Sequence, residues 1–273
     1  MAEFLLELYS EEIPHGLQIS AREEIKQKLL KSLEEESIKY KSAEVYSTPT
    51  RLALLIRDLP SEIKIAAKEV KGPKAGVPEN IIEGFMRSHQ ITKKDLYEKT
   101  EEKGKFYCFK KLAKKTQTED LLVKLTPKAI GAVNWKKSMR WSDHDLMWGR
   151  PLRSILAIFN NKHLKFDYHH LTSTDGAIIV DNFIDKIKKV KNFKEYESLL
   201  KTNKIFLKQE DRKNNIIKKV QSICKTKSYL ENFNEKLIEE VVNITENPNV
   251  ISADFDKEYL DIPKEIIIST LQR

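Results

Sequence analysis

The residues best suited to chemistry in this 273-residue chain lie between Asn134 and Ser154. The stretch reads NWKKSMRWSDHDLMWGRPLRS. It holds all three tryptophans, Trp135, Trp141 and Trp148, together with Arg140, Arg150 and Arg153. Elsewhere the basic residues are mostly lysine. A guanidinium fork grips carboxylates or phosphates at two points and stacks on rings, and tryptophan adds a large apolar face. Two uses suit such a set. It can pack as a structural cluster, with Arg140 and Arg150 stacked or paired against internal carboxylates. It can also stack unpaired nucleic-acid bases and clamp phosphates. Within it, Asp143-His144-Asp145 places two carboxylates around an imidazole, the makings of a general base or a metal ligand set. No second ligand cluster stands at a useful spacing, so a polar surface turn is the expectation. His169 and His170 are adjacent and cannot face one centre from a strand; exposed or internally satisfied rings are expected. Glu11-Glu12 and Glu239-Glu240 suit caps, turns or helix faces better than an acid/base pair. No catalytic residue and no metal ligand is assigned.

Arg51 follows Thr48-Pro49-Thr50 and leads an apolar run. It can be partly buried, bonding carbonyls at the head of a strand, or it can reach an RNA phosphate. The chain carries a net charge of +8, which favours an acidic partner such as nucleic acid, although lysine-rich faces are also often only solvated. Cys108 and Cys224 are too few and too scattered for a disulfide framework or a zinc site, which points to a reducing compartment. Met1-Ala2-Glu3 lacks a basic leader, and no apolar run approaches transmembrane length. A soluble, cytoplasmic chain without a membrane partner is expected. A Gly-rich phosphate loop, HExxH and GxSxG are all missing.

The elements that must position these residues follow from patterning. Phe4 to Tyr9 is a short apolar run suited to a buried strand. Leu17 to Ile38 places Ile25, Leu29, Leu30 and Leu33 on one side of an amphipathic helix. Leu52 to Ile56 is strand-like, closed by Pro60. Residues 61–80, with Gly72, Pro73, Gly76 and Pro78, are expected to be a loop. A short helix follows from Asn80, then a strand over Phe106–Phe109 and a helix over 119–133. Ser154 to Phe166 predicts strand, turn at Asn160-Asn161, strand. Helices are expected near 193–202, 208–226, 233–245 and from 263 onward. The fold class is α+β, a mixed or antiparallel sheet with packed helices followed by a mainly helical part. Length favours two domains. The lysine-rich shift near 182–190 sets them at 1–185, an α+β domain, and 186–273, mainly helical.

Several motifs resemble one family, the β subunit of the bacterial two-subunit glycyl-tRNA synthetase. Met139-Arg140-Trp141 and Gly149-Arg150-Pro151 are similar to its central element. ELYSEEIP (Glu7 to Pro14) resembles its opening strand, Ser47-Thr48-Pro49-Thr50-Arg51-Leu52-Ala53-Leu54 its Thr/Ala-Pro-x-Arg-Leu-Ala element, and Lys71-Gly72-Pro73 its Lys/Arg-Gly-Pro turn. LIEEVVNITENPNV (Leu237 to Val250) resembles its Leu-x-Glu-Glu-Val…Glu-x-Pro segment, followed by Phe255, Tyr259-Leu260, Pro263 and Ser269-Thr270 in family order. The chain departs from the family at GPKAGVPENIIEGF, which is short, and at LTSTDGAIIVD, where the family usually shows Gly-His-Arg-Phe. The family continues well beyond Leu271-Gln272-Arg273.

The resemblance implies the N-terminal part of a glycine–tRNA ligase subunit. Its holoenzyme, two α and two β chains, joins glycine to tRNA(Gly) through glycyl-adenylate with ATP and Mg²⁺. The α subunit would carry the adenylation site, and this part would bind no cofactor, support tRNA binding and assembly, and be catalytically inactive alone. The tRNA-contact candidates are Arg51, Lys71, Lys74, Arg140, Trp141, Arg150 and Arg153. The alternatives are a hydrolytic editing-type domain, which would need a polar pocket around a water, or a free-standing RNA-binding module.

Overall fold

The computed structural model describes residues 2–65, 68–89, 91–101, 104–111 and 114–271. The chain forms two compact units, one of residues 1–61 and 121–273, the other of residues 62–120. The larger unit starts with strand β1 (Ala2–Ser10). Its apolar run is buried on both faces, as befits the middle strand of a covered sheet. Helix α1 (His15–Glu35) follows, with Leu17, Ala21, Ile25, Leu29 and Leu33 at a spacing of four making its buried stripe. Strands β2 (Ser42–Ser47) and β3 (Arg51–Leu59) form an antiparallel hairpin across the turn at Thr48–Arg51.

The smaller unit contains β4 (Glu62–Ile65), β5 (Lys68–Lys74), helix α2 (Glu79–His89), β6 (Leu96–Glu101), β7 (Gly104–Lys111) and β8 (Lys114–Gln117). β5, β7 and β6 make a three-stranded sheet, and β4 pairs with β8. The segment expected as a loop over 61–80 thus holds two strands. Gly72 and Pro73 fall at a register shift of β5 between Lys71 and Lys74, a bulge where a proline's missing N–H breaks no ladder bond. Gly72 is also needed for space, since a Cβ there would lie 2.7 Å from the Phe85 ring of α2.

The chain returns to the larger unit through α3 (Thr118–Gly131). β9 (Leu152–Phe159) then pairs antiparallel with β1, and β10 (Lys162–His163) closes against β9. The expected turn is present, with Asn160 and Asn161 both left-handed. The sheet order is β10-β9-β1-β3-β2. Two small hairpins follow, β11 (Asp167–Tyr168) with β12 (Leu171–Thr172), and β13 (Gly176–Asp181) with β14 (Ile184–Lys189). Helices α4 (Phe193–Thr202), α5 (Gln209–Lys227), α6 (Glu235–Ile244) and α7 (Lys264–Leu271) complete the α+β fold. Asn192 and Asn234 cap α4 and α6, accepting from the amides of Glu195 and Leu237.

The boundary expected after residue 185 is corrected. It would cut hairpin β13–β14, and α4 is no separate domain. Its Phe193, Tyr196 and Leu200 pack into one core with Leu5, Leu55, Leu156 and Ile179. The lysine-rich shift marks an exposed strand of the hairpin; every residue of β14 is exposed.

Candidate functional site

Three of the motif segments meet at one buried point. Glu7 stands in the middle of β1, opposite Ala53 on one side and Leu156 on the other. Arg51 opens β3, and Glu246 follows the end of α6. Arg51 Nε lies 3.2 Å from Glu7 Oε2, and Arg51 Nη1 lies 2.9 Å from Glu246 Oε1. Arg51 Nη2 donates to the Ile178 carbonyl, and its guanidinium carbon sits 4.7 Å above the Tyr9 ring. Thr48 and Thr50 donate to the same Glu246 oxygen at 2.8 and 3.0 Å. Tyr196 donates its hydroxyl to Glu7 Oε2. Both Glu7 and Arg51 are 1% exposed. Burial pushes the Glu7 carboxyl above the ordinary carboxylate range, against the pull of Arg51 and of the Tyr196 hydroxyl. Burial also opposes the charge on Arg51, but Glu7 and Glu246 more than offset it and hold the guanidinium protonated. Burial and the neighbouring Glu7 drive the Tyr196 phenol well upward.

This geometry goes against the RNA-contact reading of Arg51: its guanidinium is buried among Glu7, Glu246, Ile178 and Tyr9, and no face is open to a phosphate. A second buried arginine was missed altogether. Arg212 on α5 donates to the carbonyls of Ser47 (2.7 Å), Val242 (2.8 Å), Leu207 (3.0 Å) and Phe206. Burial lowers its guanidinium pKa to about 10. These bonds tie α5, the segment leading into it and the end of α6 to the tip of β2. The only signal in sequence was an arginine amid lysines, where a five-donor fork does what an ammonium cannot.

The Trp/Arg stretch divides into a packed half and an exposed half. Trp148 is 1% exposed, donates from Nε1 to Ser10 Oγ at 3.2 Å, and meets Trp135 edge to face at 4.7 Å. Gly149 lies against Trp135 so closely that a Cβ would sit 2.3 Å from the ring. Met139 and Trp148 exchange both backbone hydrogen bonds, at 2.8 and 3.2 Å, and close a loop over 140–147. That loop displays Trp141, half-buried, and Arg140, whose guanidinium stays exposed 3.6 Å from Asp145. It also lays His144 flat on His170, with ring centroids 3.7 Å apart and planes within 2°. Trp141 presents an edge to both imidazoles. The two histidine motifs thus meet in one stack. Partial burial and the neighbouring His144 and His169 lower the His170 pKa. The Ser142 hydroxyl bonded to Asp143 at 3.0 Å, together with His144, holds that carboxyl low.

The remaining candidates scatter. Arg150 is half-buried and donates to the carbonyl of Gly149 at 2.8 Å. The internal carboxylate expected for it is not in contact among the described residues. Its side chain lines a shallow cleft of about 570 Å³ with Glu11, Glu12, Pro14, Pro49 and Ile244. Arg153 is paired with Glu11 at 3.1 Å and with Asp185. Lys71 and Lys74 lie in the smaller unit, both exposed, with the Lys71 ammonium 3.6 Å from the Phe106 ring centroid. Arg51 is sealed, Arg153 is neutralised, and Arg140, Trp141, Arg150 and Lys74 keep solvent-facing groups. Among the described residues no three His, Cys, Asp or Glu side chains are grouped as metal ligands, and no helix is long and apolar enough to cross a membrane.

Fold and site define an α+β protein with a buried charged centre and with arginine, lysine and aromatic groups exposed at its surface. The comparisons with known proteins agree with the motifs. The family model described as glycyl-tRNA synthetase beta subunit matches residues 4–273. The glycine–tRNA ligase beta subunit of Rickettsia peacockii (strain Rustic) is 33% identical over 275 residues, that of Rickettsia conorii 32% over 275, and that of Rickettsia bellii (strain OSU 85-389) 33% over 284. Each alignment covers 100% of this chain and 41% of the relative, so the chain spans less than half the length of these proteins. The chain belongs to the glycyl-tRNA synthetase beta subunit family.

Proposed function

We propose that this chain is the N-terminal portion of a glycine–tRNA ligase β subunit, and that it supports tRNA(Gly) binding and assembly with a catalytic α subunit. The holoenzyme, two α and two β chains in the cytoplasm, joins glycine to tRNA(Gly) with ATP and Mg²⁺, and adenylate formation belongs to α. The observation that carries the reading is the match of the family across residues 4–273, joined to the site's chemistry. Glu7 and Arg51 are buried in the core, and Arg51 pairs with Glu7 and with the partly exposed Glu246. A nucleotide site needs such groups facing a cleft, and the buried Glu7–Arg51 pair does not. The basic surface, net +8 over the chain, suits a polyanion.

The test is glycine-dependent ATP–pyrophosphate exchange. The chain alone is expected to show none, and the α subunit to show it. Exchange by this chain in the complete absence of α would overturn the division of roles.

A further inference from the structure

Loop 140–147 and the turn between β11 and β12 build an aromatic cluster that the core does not use. His144 lies flat on His170, with ring centroids 3.7 Å apart and 2° between the planes. Trp141 stands edge-on beside both, 6.4 Å from the His144 ring and 5.8 Å from the His170 ring. None of the three is buried, and His170 is exposed. The backbone is bent to make the stack. Ser142 and His169 both hold a left-handed φ, +51° and +52°, a conformation disfavoured for residues with a Cβ. Such strain persists where the surroundings impose it, and it gathers at binding sites.

The chemistry of the cluster selects its ligand. Among the described residues the His170 ring nitrogens have no hydrogen-bond partner, and the carboxylate of Asp143 stands 3.8 Å from His144 Nδ1. An apolar protein pocket would strand these nitrogens, at a desolvation cost. A phosphate would meet Asp143 and Asp145, both exposed on the same loop. It would also gain little from His170, whose pKa partial burial, then His144 and His169, hold below the ordinary 6.5; near neutral pH that ring is largely uncharged. A nucleobase suits every feature. It is a flat, uncharged ring that extends a stack, and it carries donors and acceptors at its edge. Its backbone would find Lys136, Lys137 and Arg140 exposed on the segment that leads into the loop. Bases inside a duplex have both faces covered already, so the base must come from an unpaired segment. We infer that Trp141, His144 and His170 form a stacking platform for an unpaired base of RNA. The inference rests on the proposed binding of tRNA(Gly) and names the group that this chain holds.

The test uses the full-length β subunit joined to its α subunit, and reads tRNA(Gly) affinity by fluorescence anisotropy. Trp141→Ala and His170→Ala should each lower that affinity at least about fivefold, the worth of one stacked base. The slope of log affinity against log salt should stay where it is, because no phosphate contact is lost. His170→Phe keeps a flat ring on His144 and should keep most of the affinity. Molecules of tRNA(Gly) lacking one base at a time in the unpaired segments then locate the partner. At one such position, loss of the base should weaken binding to the parent by a similar factor and leave binding to His170→Ala unchanged, an outcome that a merely distorted loop would not give. Absence of any such position overturns the inference while tRNA binding stands, and so does unchanged affinity of both alanine variants. A salt slope that falls together with the affinity would put a phosphate on the cluster. Loss of α binding with tRNA affinity intact would make the cluster a protein contact. Each of these overturns the inference as well. A parent that does not bind tRNA(Gly) at all removes the proposed function first, and this inference with it.

Discussion

A buried ion pair is held by the completeness of its partners. Taking one partner away leaves a bare charge in the core, at a cost of about 3–5 kcal/mol. Arg51 is the counter-ion of Glu7 and Glu246 at once. Arg51→Met should therefore lose about that much stability in a denaturant titration, whereas Arg140→Met, on an exposed pair, should lose under about 1 kcal/mol. A smaller cost for Arg51→Met than for Arg140→Met would remove the buried pair from the account of the fold. The residual charge predicts a pH signature as well. The folded-state pKa of Glu7 already lies above the ordinary value of 4.5, so between those two values the folded protein holds the extra proton and its stability falls as pH rises. Without Arg51 that fall should steepen.

The His144–His170 stack gives the opposite sign. The folded-state pKa of His170 lies below the ordinary 6.5, so in the window between the two values it is the unfolded chain that binds more protons. Stability is then gained as pH rises through the window and is complete above 6.5. Phe in place of His170 keeps an aromatic face for His144 and removes this titration. The melting temperature of the parent should rise more than that of His170→Phe between about pH 5.5 and about pH 7.5. Equal rises would mean that the stack carries no linkage. Neither the stack nor the Arg51 network could be read in full from sequence. Arg51 was placed correctly at the head of β3, but its partners Glu7 and Glu246 lie 44 and 195 positions away in the chain, and nothing in a linear pattern says which carboxylate a buried arginine will meet.

Elements with one dominant period were legible. α1 announces itself by apolar residues four apart, and β3 by an unbroken run that needs burial on both faces. The helices over 193–202, 209–227 and 235–244 carry caps or stripes that fix them within a residue or two. The segment 61–80 was misjudged because Gly72 and Pro73 normally punctuate; here they sit in a bulge, a placement that only the partner strand β7 reveals. The inserted unit was missed for the same reason. Its two ends are fastened together, with Glu62 directly opposite Gln117 in the β4–β8 pair, about 5 Å apart at Cα. An excision of residues 63–116, bridged by a short Gly-Ser linker, should therefore leave the larger unit folded, with a cooperative melt and its near-ultraviolet tryptophan signal intact. Loss of cooperativity would mean that the insertion is needed to fold the sheet.

For the whole molecule the governing quantity is charge. A net charge of +8, with Lys74 and Arg140 among the exposed cations, predicts weak contacts with a polyanion. Each phosphate neutralised releases condensed counterions, so log affinity should fall linearly with log salt, by about 0.7–0.9 per contact. Binding of tRNA(Gly) to the chain is accordingly expected to be weak near physiological salt and to tighten steeply on dilution from about 200 to about 50 mM. Individual residues then sort themselves. Lys74→Ala and Arg140→Ala each remove an exposed cation and should lower the slope by about 1 if they touch phosphate, without a change in melting temperature. Arg153→Ala should leave the slope where it is, because Glu11 and Asp185 already hold its guanidinium, and should act on stability instead. Fluorescence anisotropy at several salt concentrations reads all three. A slope near zero for the parent would take RNA contact away from this region and leave assembly as its role, and a reduced slope for Arg153→Ala alone would mean that its ion pairs open to admit the phosphate.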